Sequence, residues 1–141
     1  MSGPPLNVGD HASRDVELTR ADVVRVAAEL GDTNPLHHDE AAARSSRFGG
    51  LIASGAHLAG LMSGFLAEFT TSRGPGVGLE VAYQFHRAAR PGGALRMRWE
   101  VVAIAHSAKL RGEVLSLAGE MRDGRDVILV RGSAKVLCGP I

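Results

Sequence analysis

Ser54-Gly-Ala-His-Leu-Ala-Gly-Leu-Met-Ser-Gly-Phe-Leu-Ala-Glu-Phe69 is a strongly apolar stretch in the middle of this chain. Its large side chains recur three and four residues apart, which is the spacing of one face of an α-helix. They are Leu58, Leu61, Met62, Phe65, Leu66 and Phe69. Small residues fill most other positions, and the one carboxylate, Glu68, comes near the end. A helix with so little polar surface is expected inside the protein.

The sequence after this helix changes to the period of two that is typical of β-strands. Apolar residues alternate with polar ones over 79–86 and 95–102, and the segments 110–121 and 128–136 show a weaker alternation. Turn signals separate the segments at 90–93, 106–108 and 123–124, and the last of them, Asp-Gly, predicts a tight hairpin.

The sequence before the helix predicts shorter elements. Residues 1–10 look like an irregular lead-in, and His11 to Leu18 predict a first strand. Thr19 is a helix N-cap candidate, and Gly31 ends the helix that follows. A short helix is expected from Glu40 to Ser46.

Helices first and antiparallel strands afterwards indicate an α+β fold rather than alternating βαβ units. An antiparallel sheet that curls around the long apolar helix would bury both apolar faces. A flat sheet with helices on one face is the alternative that the pattern leaves open.

Composition narrows the function classes. The 141 residues fit one domain over residues 1–141, and the net charge of +1 offers no electrostatic case for nucleic acid or an anionic membrane. Neither a signal peptide nor a membrane-length apolar run is evident, so a cytoplasmic protein is expected. The lone Cys138 cannot form an internal disulfide, and the six histidines lack zinc-ligand spacing, so no metal is expected.

Arginines cluster at Arg87, Arg90, Arg96 and Arg98. We interpret most of them as a solvated strand face, with contact to the phosphates of a substrate as the alternative.

A candidate for chemistry lies in Asp32-Thr-Asn-Pro-Leu-His37, where a carboxylate and an imidazole are five residues apart in a proline-stiffened loop. Both groups could activate a water molecule and transfer its proton. The alternative is an Asx turn, in which Asp32 and Asn34 bond the local backbone while His37 and His38 stay at the surface. The residues alone favour the turn.

A second candidate is Gly49-Gly-Leu-Ile-Ala-Ser-Gly55, which leads into the apolar helix. Backbone N–H groups at a helix N-terminus stabilise negative charge, and Gly55 lets a ligand approach closely. The alternative is that Ser54 only caps the helix and Gly55 only permits tight packing.

Taken together, these motifs resemble the signature of the R-specific enoyl-CoA hydratases, the MaoC-like branch of the hot-dog superfamily. That signature is Asp-x-Asn-Pro-x-His followed by Phe-Gly-Gly-x-Ile-Ala-x-Gly. Here it consists of Asp32, Asn34, Pro35, His37, Phe48, Gly49, Gly50, Ile52, Ala53 and Gly55. The similarity extends to Ser63 and to the turn at 74–78.

The resemblance implies a single hot-dog domain and a lyase of fatty acid metabolism. The enzyme would interconvert trans-2-enoyl and (R)-3-hydroxyacyl thioesters, linked to CoA or to an acyl carrier protein, without a cofactor. Asp32 and His37 would activate water, and the Gly55 amide would bind the thioester oxygen. Asn34 would order the loop and Ser63 would support the site.

The resemblance also implies a homodimer or a higher homo-oligomer. Two other functions are alternatives to the hydratase. One is a thioesterase on the same fold, which would need a carboxylate such as Glu68, and the other is a non-catalytic subunit of a hetero-oligomer.

Two residues depart from the family. Ser54 stands where many relatives have histidine, and His57 stands where an apolar residue is usual. We expect both near the substrate, with a structural role favoured for His57.

Overall fold

The computed structural model describes residues 5–140 of the chain. Among these residues the helices are α1 (Arg20–Glu29), α2 (Glu40–Ser45) and α3 (Gly55–Thr70), with a 3₁₀ turn at Pro35–His37. The strands are β1 (His11–Leu18), β2 (Gly76–Phe85), β3 (Gly93–Ser107), β4 (Gly112–Arg122) and β5 (Ile128–Cys138). Of the predicted lead-in, residues 1–4 lie outside the described residues.

Side-chain caps explain where the helices begin. Thr19, Asp39 and Ser54 each accept a backbone N–H from the residue three positions further on, at 3.1 Å. Such a cap contributes about 1 kcal/mol to stability because it satisfies an N–H that has no partner inside the helix. The predicted starts of all three helices therefore agree with the structure to within one residue.

The five strands form one antiparallel sheet in the order β1-β3-β4-β5-β2. Strands β1 and β2 are therefore its two edges. The pairing shifts by one residue between Val101 and Ala103 and again between Gly78 and Glu80. These bulges increase the local twist of the sheet.

Helix α3 packs into the hollow of this sheet. It contacts β3 and β5 in the interior of the sheet and β2 at the edge. The indole N–H of Trp99, which is fully buried, donates to the Met62 carbonyl at 3.0 Å, so β3 is bonded directly to the middle of the helix. The α+β prediction, with the sheet around the apolar helix, is confirmed, and the flat arrangement is not the one observed.

Candidate active site

The loop between α1 and α2 is ordered by its own side chains. Asp32 Oδ1 accepts the N–H of Asn34 at 2.9 Å, and Asn34 Oδ1 accepts the N–H of Leu36 at 3.1 Å. Pro35 then begins the 3₁₀ turn. The Asx-turn interpretation is therefore correct for Asp32 and Asn34.

The same interpretation is wrong for His37, which it left at the surface. The side chain of His37 is buried, with 5% of its residue surface exposed. Its Nδ1 lies 2.7 Å from the carbonyl oxygen of Ile52. A carbonyl oxygen only accepts hydrogen bonds, so Nδ1 carries the proton and the neutral ring keeps its lone pair on Nε2.

That lone pair faces the second oxygen of Asp32. His37 Nε2 lies 3.5 Å from Asp32 Oδ2, and the Asp32 side chain is about one-third exposed. The distance exceeds that of a direct hydrogen bond, so one water molecule can contact both atoms. The Asx turn and the Asp32–His37 pair therefore coexist, because Oδ1 of Asp32 orders the loop while Oδ2 stays available to a water molecule.

His38, to which the sequence assigns no role, also fixes this loop. Its Nε2 lies 2.6 Å from the backbone carbonyl of Asp32, to which it donates a hydrogen bond. The bond holds the backbone carbonyl of Asp32, whereas the Asn34 N–H holds its side chain. The sequence shows His38 only as a second histidine next to His37. It does not indicate which of the two imidazoles lies near the Asp32 carboxylate and which one bonds to the loop backbone.

Backbone hydrogen bonds attach this loop to the start of α3. The N–H of Ile52 donates to the carbonyl oxygen of Leu36 in this loop at 3.2 Å. The next N–H, that of Ala53, donates at 2.9 Å to the carbonyl oxygen of Ala89, which lies in the segment between β2 and β3. Gly55, the first helical residue, is thus three residues from the carbonyl that orients His37. Its N–H is one of those that have no partner within the helix. Ser54 is buried and serves as the N-cap, as the structural alternative expects.

Phe85, at the end of β2, lies against Gly55. A Cβ atom built on Gly55 would be 3.3 Å from the Phe85 ring. Half of the Phe85 surface is nevertheless exposed. The sequence marks Phe85 only as one member of an alternating strand, so its position over the helix start required the structure.

His57 is buried in the first turn of α3, and no described residue forms a hydrogen bond with its Nδ1. Burial lowers the pKa of His57; Asp22 opposes that change, and Arg25 and His37 add to it. The imidazole is therefore held neutral. The electrostatic interaction with His37 places it near the candidate pair.

The hydroxyl of Ser63 forms its hydrogen bond with a residue outside the Asp32–His37 pair. Its hydroxyl lies 2.6 Å from the hydroxyl of Tyr83 on β2, and burial raises the pKa of that tyrosine while the bond to Ser63 opposes the rise. Ser63 also lines a cavity of about 330 Å³ between α3 and β2. It is eight residues beyond Gly55, or about 12 Å along the helix axis.

Within residues 5–140, no group of three or more His, Cys, Asp or Glu side chains is arranged to hold a metal ion. The helices in this part of the chain are all too short or too polar to cross a membrane.

Comparison with known proteins identifies the family to which the chain belongs. Residues 7–120 match the family described as the MaoC like domain. A curated 3-hydroxybutyryl-CoA dehydratase of Methylorubrum extorquens is 36% identical over 100 residues, which are 70% of this chain and 62% of that protein. The chain therefore matches less than two-thirds of the length of that relative.

Solved structures share the fold. An (R)-hydratase from A. caviae involved in PHA biosynthesis has a TM-score of 0.85 and 28% identity, covering 95% of this chain and 98% of that one. A MaoC-like dehydratase from Rhodospirillum rubrum has a TM-score of 0.80 and 30% identity, covering 96% of each chain. The fold is the hot-dog fold, and this chain belongs to the MaoC-like domain family.

Proposed function

We propose that this protein is a hydratase or dehydratase that interconverts trans-2-enoyl and (R)-3-hydroxyacyl thioesters. The observation that carries the proposal is the pair formed by His37 and Asp32. The Ile52 carbonyl sets the tautomer of His37 so that its basic nitrogen faces a carboxylate. The names of the related dehydratase and (R)-hydratase support the same class of reaction.

In the hydration direction, a water molecule binds between Asp32 Oδ2 and His37 Nε2. One of these groups accepts a proton as the water oxygen bonds to C3 of the enoyl group. A proton from the pair is then delivered to C2, so that the elements of one water molecule are added. Groups that exchange protons near neutral pH contribute about 10²- to 10⁴-fold to the rate of such steps.

The electron pair displaced from the double bond moves to the thioester oxygen. In the proposal, this oxygen binds at the Gly55 N–H, where the positive end of α3 stabilises its developing charge. Gly55 is exposed, and the Phe85 ring lies on the side where a Cβ would be. The loop pair thus handles the water and the helix end handles the carbonyl.

The remaining predicted residues act through position. Asn34 holds the turn that carries His37, and Ser54 holds the first turn of α3. His57 is a neutral, buried neighbour of His37, and we assign it to the wall of the site. Ser63 lines the cavity between α3 and β2, which we assign to the acyl chain.

The direct test is incubation of the purified protein with crotonyl-CoA, followed by loss of the enoyl absorbance. A parallel assay with a thiol reagent measures release of free CoA. Water addition without thiol release supports the proposal. Release of CoA would instead indicate a thioesterase, and no turnover of any enoyl thioester would contradict the proposal.

A thioesterase is disfavoured because the carboxylate that it would need on α3 has another partner. Glu68 is exposed and forms an ion pair with Arg14 on β1. A non-catalytic role in a hetero-oligomer does not account for the ordered Asp32 and His37 pair. Activity of the purified chain alone would exclude that role.

We further propose that the chain forms one domain over residues 1–141 and assembles as a homodimer through β2. The single sheet supports the first point. For the second, β2 exposes four large apolar residues, whereas the edge strand β1 exposes charged ones. The four are Val77, Leu79, Val81 and Phe85. A two-fold contact would cover such an edge.

Light scattering after size exclusion tests the assembly. Val81→Glu is expected to give a monomer, because it places a charge in the middle of the exposed apolar edge. Glu17→Gln on β1 is the control and should leave the mass unchanged. A monomeric wild type would contradict the dimer.

The proposal also locates the protein in the cytoplasm, which cell fractionation would test.

A further inference from the structure

The side chain of His38 bonds to Asp32, the carboxylate of the candidate pair. The imidazole is half-buried, and its Nε2 lies 2.6 Å from the backbone carbonyl oxygen of Asp32. A carbonyl oxygen only accepts hydrogen bonds, so Nε2 of His38 carries a proton. This nitrogen therefore has no lone pair with which to abstract a proton, and the acid–base step stays with His37.

The end of helix α1 fixes the other side of the Asp32 backbone. The N–H of Asp32 donates to the Ala27 carbonyl at 2.9 Å, and the N–H of Gly31 donates to the Ala28 carbonyl at 3.0 Å. These two bonds form a Schellman motif, in which Gly31 has the left-handed conformation with a φ of 74°. The position of the Asp32 N–H is therefore set by α1.

Three of the four polar groups of Asp32 thus have a hydrogen-bond partner. The N–H is bonded to Ala27, the backbone carbonyl to His38, and Oδ1 to the N–H of Asn34 at 2.9 Å. The fourth group, Oδ2, lies 3.5 Å from His37 Nε2. Because the carboxylate is planar, the position of Oδ2 follows once the backbone and Oδ1 are held.

The bond from His38 sets the orientation of the peptide group between Asp32 and Thr33. This peptide lies between the end of α1 and the 3₁₀ turn. If it rotated, the Asn34 N–H, two residues further on, would move relative to the carboxylate that it holds. The Asx turn and the direction of Oδ2 therefore both depend on the donor at His38.

We propose that His38 is a positioning residue for the hydration reaction, which holds the Asp32 carboxylate where one water molecule contacts both it and His37. This inference rests on the proposed function. The role requires a hydrogen-bond donor at Nε2 rather than a base, and the neutral and the protonated ring can both donate from this atom. Misplacement of a catalytic group by about 1 Å costs up to about 100-fold in rate.

Three substitutions separate the donor of His38 from its volume and its basicity. His38→Gln keeps an amide donor at a similar reach, His38→Met keeps the length without a donor, and His38→Asn carries a donor on a side chain one carbon shorter than that of Gln. In the hydration of crotonyl-CoA, His38→Met and His38→Asn should lower kcat by about 10- to 100-fold and leave KM within about twofold of wild type. His38→Gln should keep kcat within about threefold of wild type, because it retains the donor.

His11→Met is the matched control. The Nδ1 of His11 lies 3.2 Å from the Gly9 carbonyl, in an exposed contact outside the candidate site, so kcat and KM should equal those of wild type. An equal loss of kcat in His38→Gln and His38→Met would overturn the inference, because a donor would then not be sufficient. A kcat within about threefold of wild type in both His38→Met and His38→Asn would also overturn it, because the bond would then not be needed.

A double-substitution cycle tests whether His38 acts through Asp32. Adding His38→Met to Asp32→Asn should lower kcat by less than about threefold, because the carboxylate that His38 positions is already absent. A further loss as large as that in the wild-type background would overturn the inference, since the effect of His38 would then be independent of Asp32.

Crystal structures of the variants separate this inference from the proposed function. If the wild type hydrates no enoyl thioester, the proposed function fails, and the geometry assigned to His38 is decided by the position of the Asp32 carboxylate. Displacement of Oδ2 from His37 Nε2 in His38→Met, with the wild-type position kept in His38→Gln, would support that geometry. An unchanged carboxylate in His38→Met would overturn the inference whether or not the protein is active.

Discussion

Replacement of Asp32 by Asn removes one negative charge from the candidate pair and changes little else. The amide oxygen of the new side chain can still accept the Asn34 N–H that Asp32 Oδ1 now accepts at 2.9 Å. The loop is therefore expected to keep its conformation, and His37 its bond to Ile52.

The size of the effect follows from the distance in the pair. His37 Nε2 and Asp32 Oδ2 are 3.5 Å apart. When His37 becomes protonated during the reaction, the carboxylate stabilises it by about 1 kcal/mol at the dielectric constant of water and by about 5 kcal/mol at an effective value near 20. Because His37 is buried and Asp32 is one-third exposed, the effect lies between these limits. We expect kcat to fall by about 100- to 1,000-fold.

The assay is steady-state hydration of crotonyl-CoA by wild type, Asp32→Asn and a control variant, Asp39→Asn. Asp39 lies in the same loop, and its side chain caps α2 by accepting the Ala42 N–H at 3.1 Å. Asparagine caps helices about as well as aspartate, so the control should retain full activity. Thermal unfolding of each variant establishes that the fold is kept.

A kcat for Asp32→Asn within about threefold of wild type, with an unchanged melting temperature, would refute the assignment of the pair, since proton-transfer groups contribute far more than that. Equal losses in Asp32→Asn and Asp39→Asn would show that the loop conformation, rather than the charge, is what matters.

Three further predictions concern stability. Ser54→Ala should lower the free energy of unfolding by about 1 kcal/mol in a urea titration, because it removes the cap on α3; an unchanged midpoint would contradict this. Gly119→Ala should cost about 1–3 kcal/mol, since its Cβ would lie 2.6 Å from the Trp99 ring, whereas Gly124→Ala, with nothing within 4 Å, should cost little. Burial lowers the pKa of His57 in the folded protein. As the pH falls below about 6.5, the unfolded chain therefore takes up a proton at this residue before the folded protein does, which favours unfolding. The contribution of His57 to stability is complete above that pH and is lost below it. His57→Leu should therefore reduce the drop in melting temperature between about pH 7.5 and about pH 5.5, and an identical drop would contradict the prediction.

Local sequence determined most of the secondary structure of this protein. The periodicity of α3 and the caps at Thr19 and Ser54 depend on neighbours within four residues, so their bounds follow from the sequence. The order of helices and strands likewise indicated an α+β fold. The motif around Asp32 and His37 led to the family that the comparisons confirmed.

Tertiary structure alone decided how the candidate site is built. The tautomer of His37 depends on the carbonyl of Ile52, 15 residues away along the chain. The Phe85 ring over Gly55 comes from a strand that starts after α3 has ended. Such contacts between distant segments leave no local pattern, because each residue is also compatible with an ordinary strand or turn. The Asp32 motif is therefore compatible both with a turn and with a proton-transfer pair, since one carboxylate oxygen orders the loop while the other lies 3.5 Å from the buried imidazole of His37.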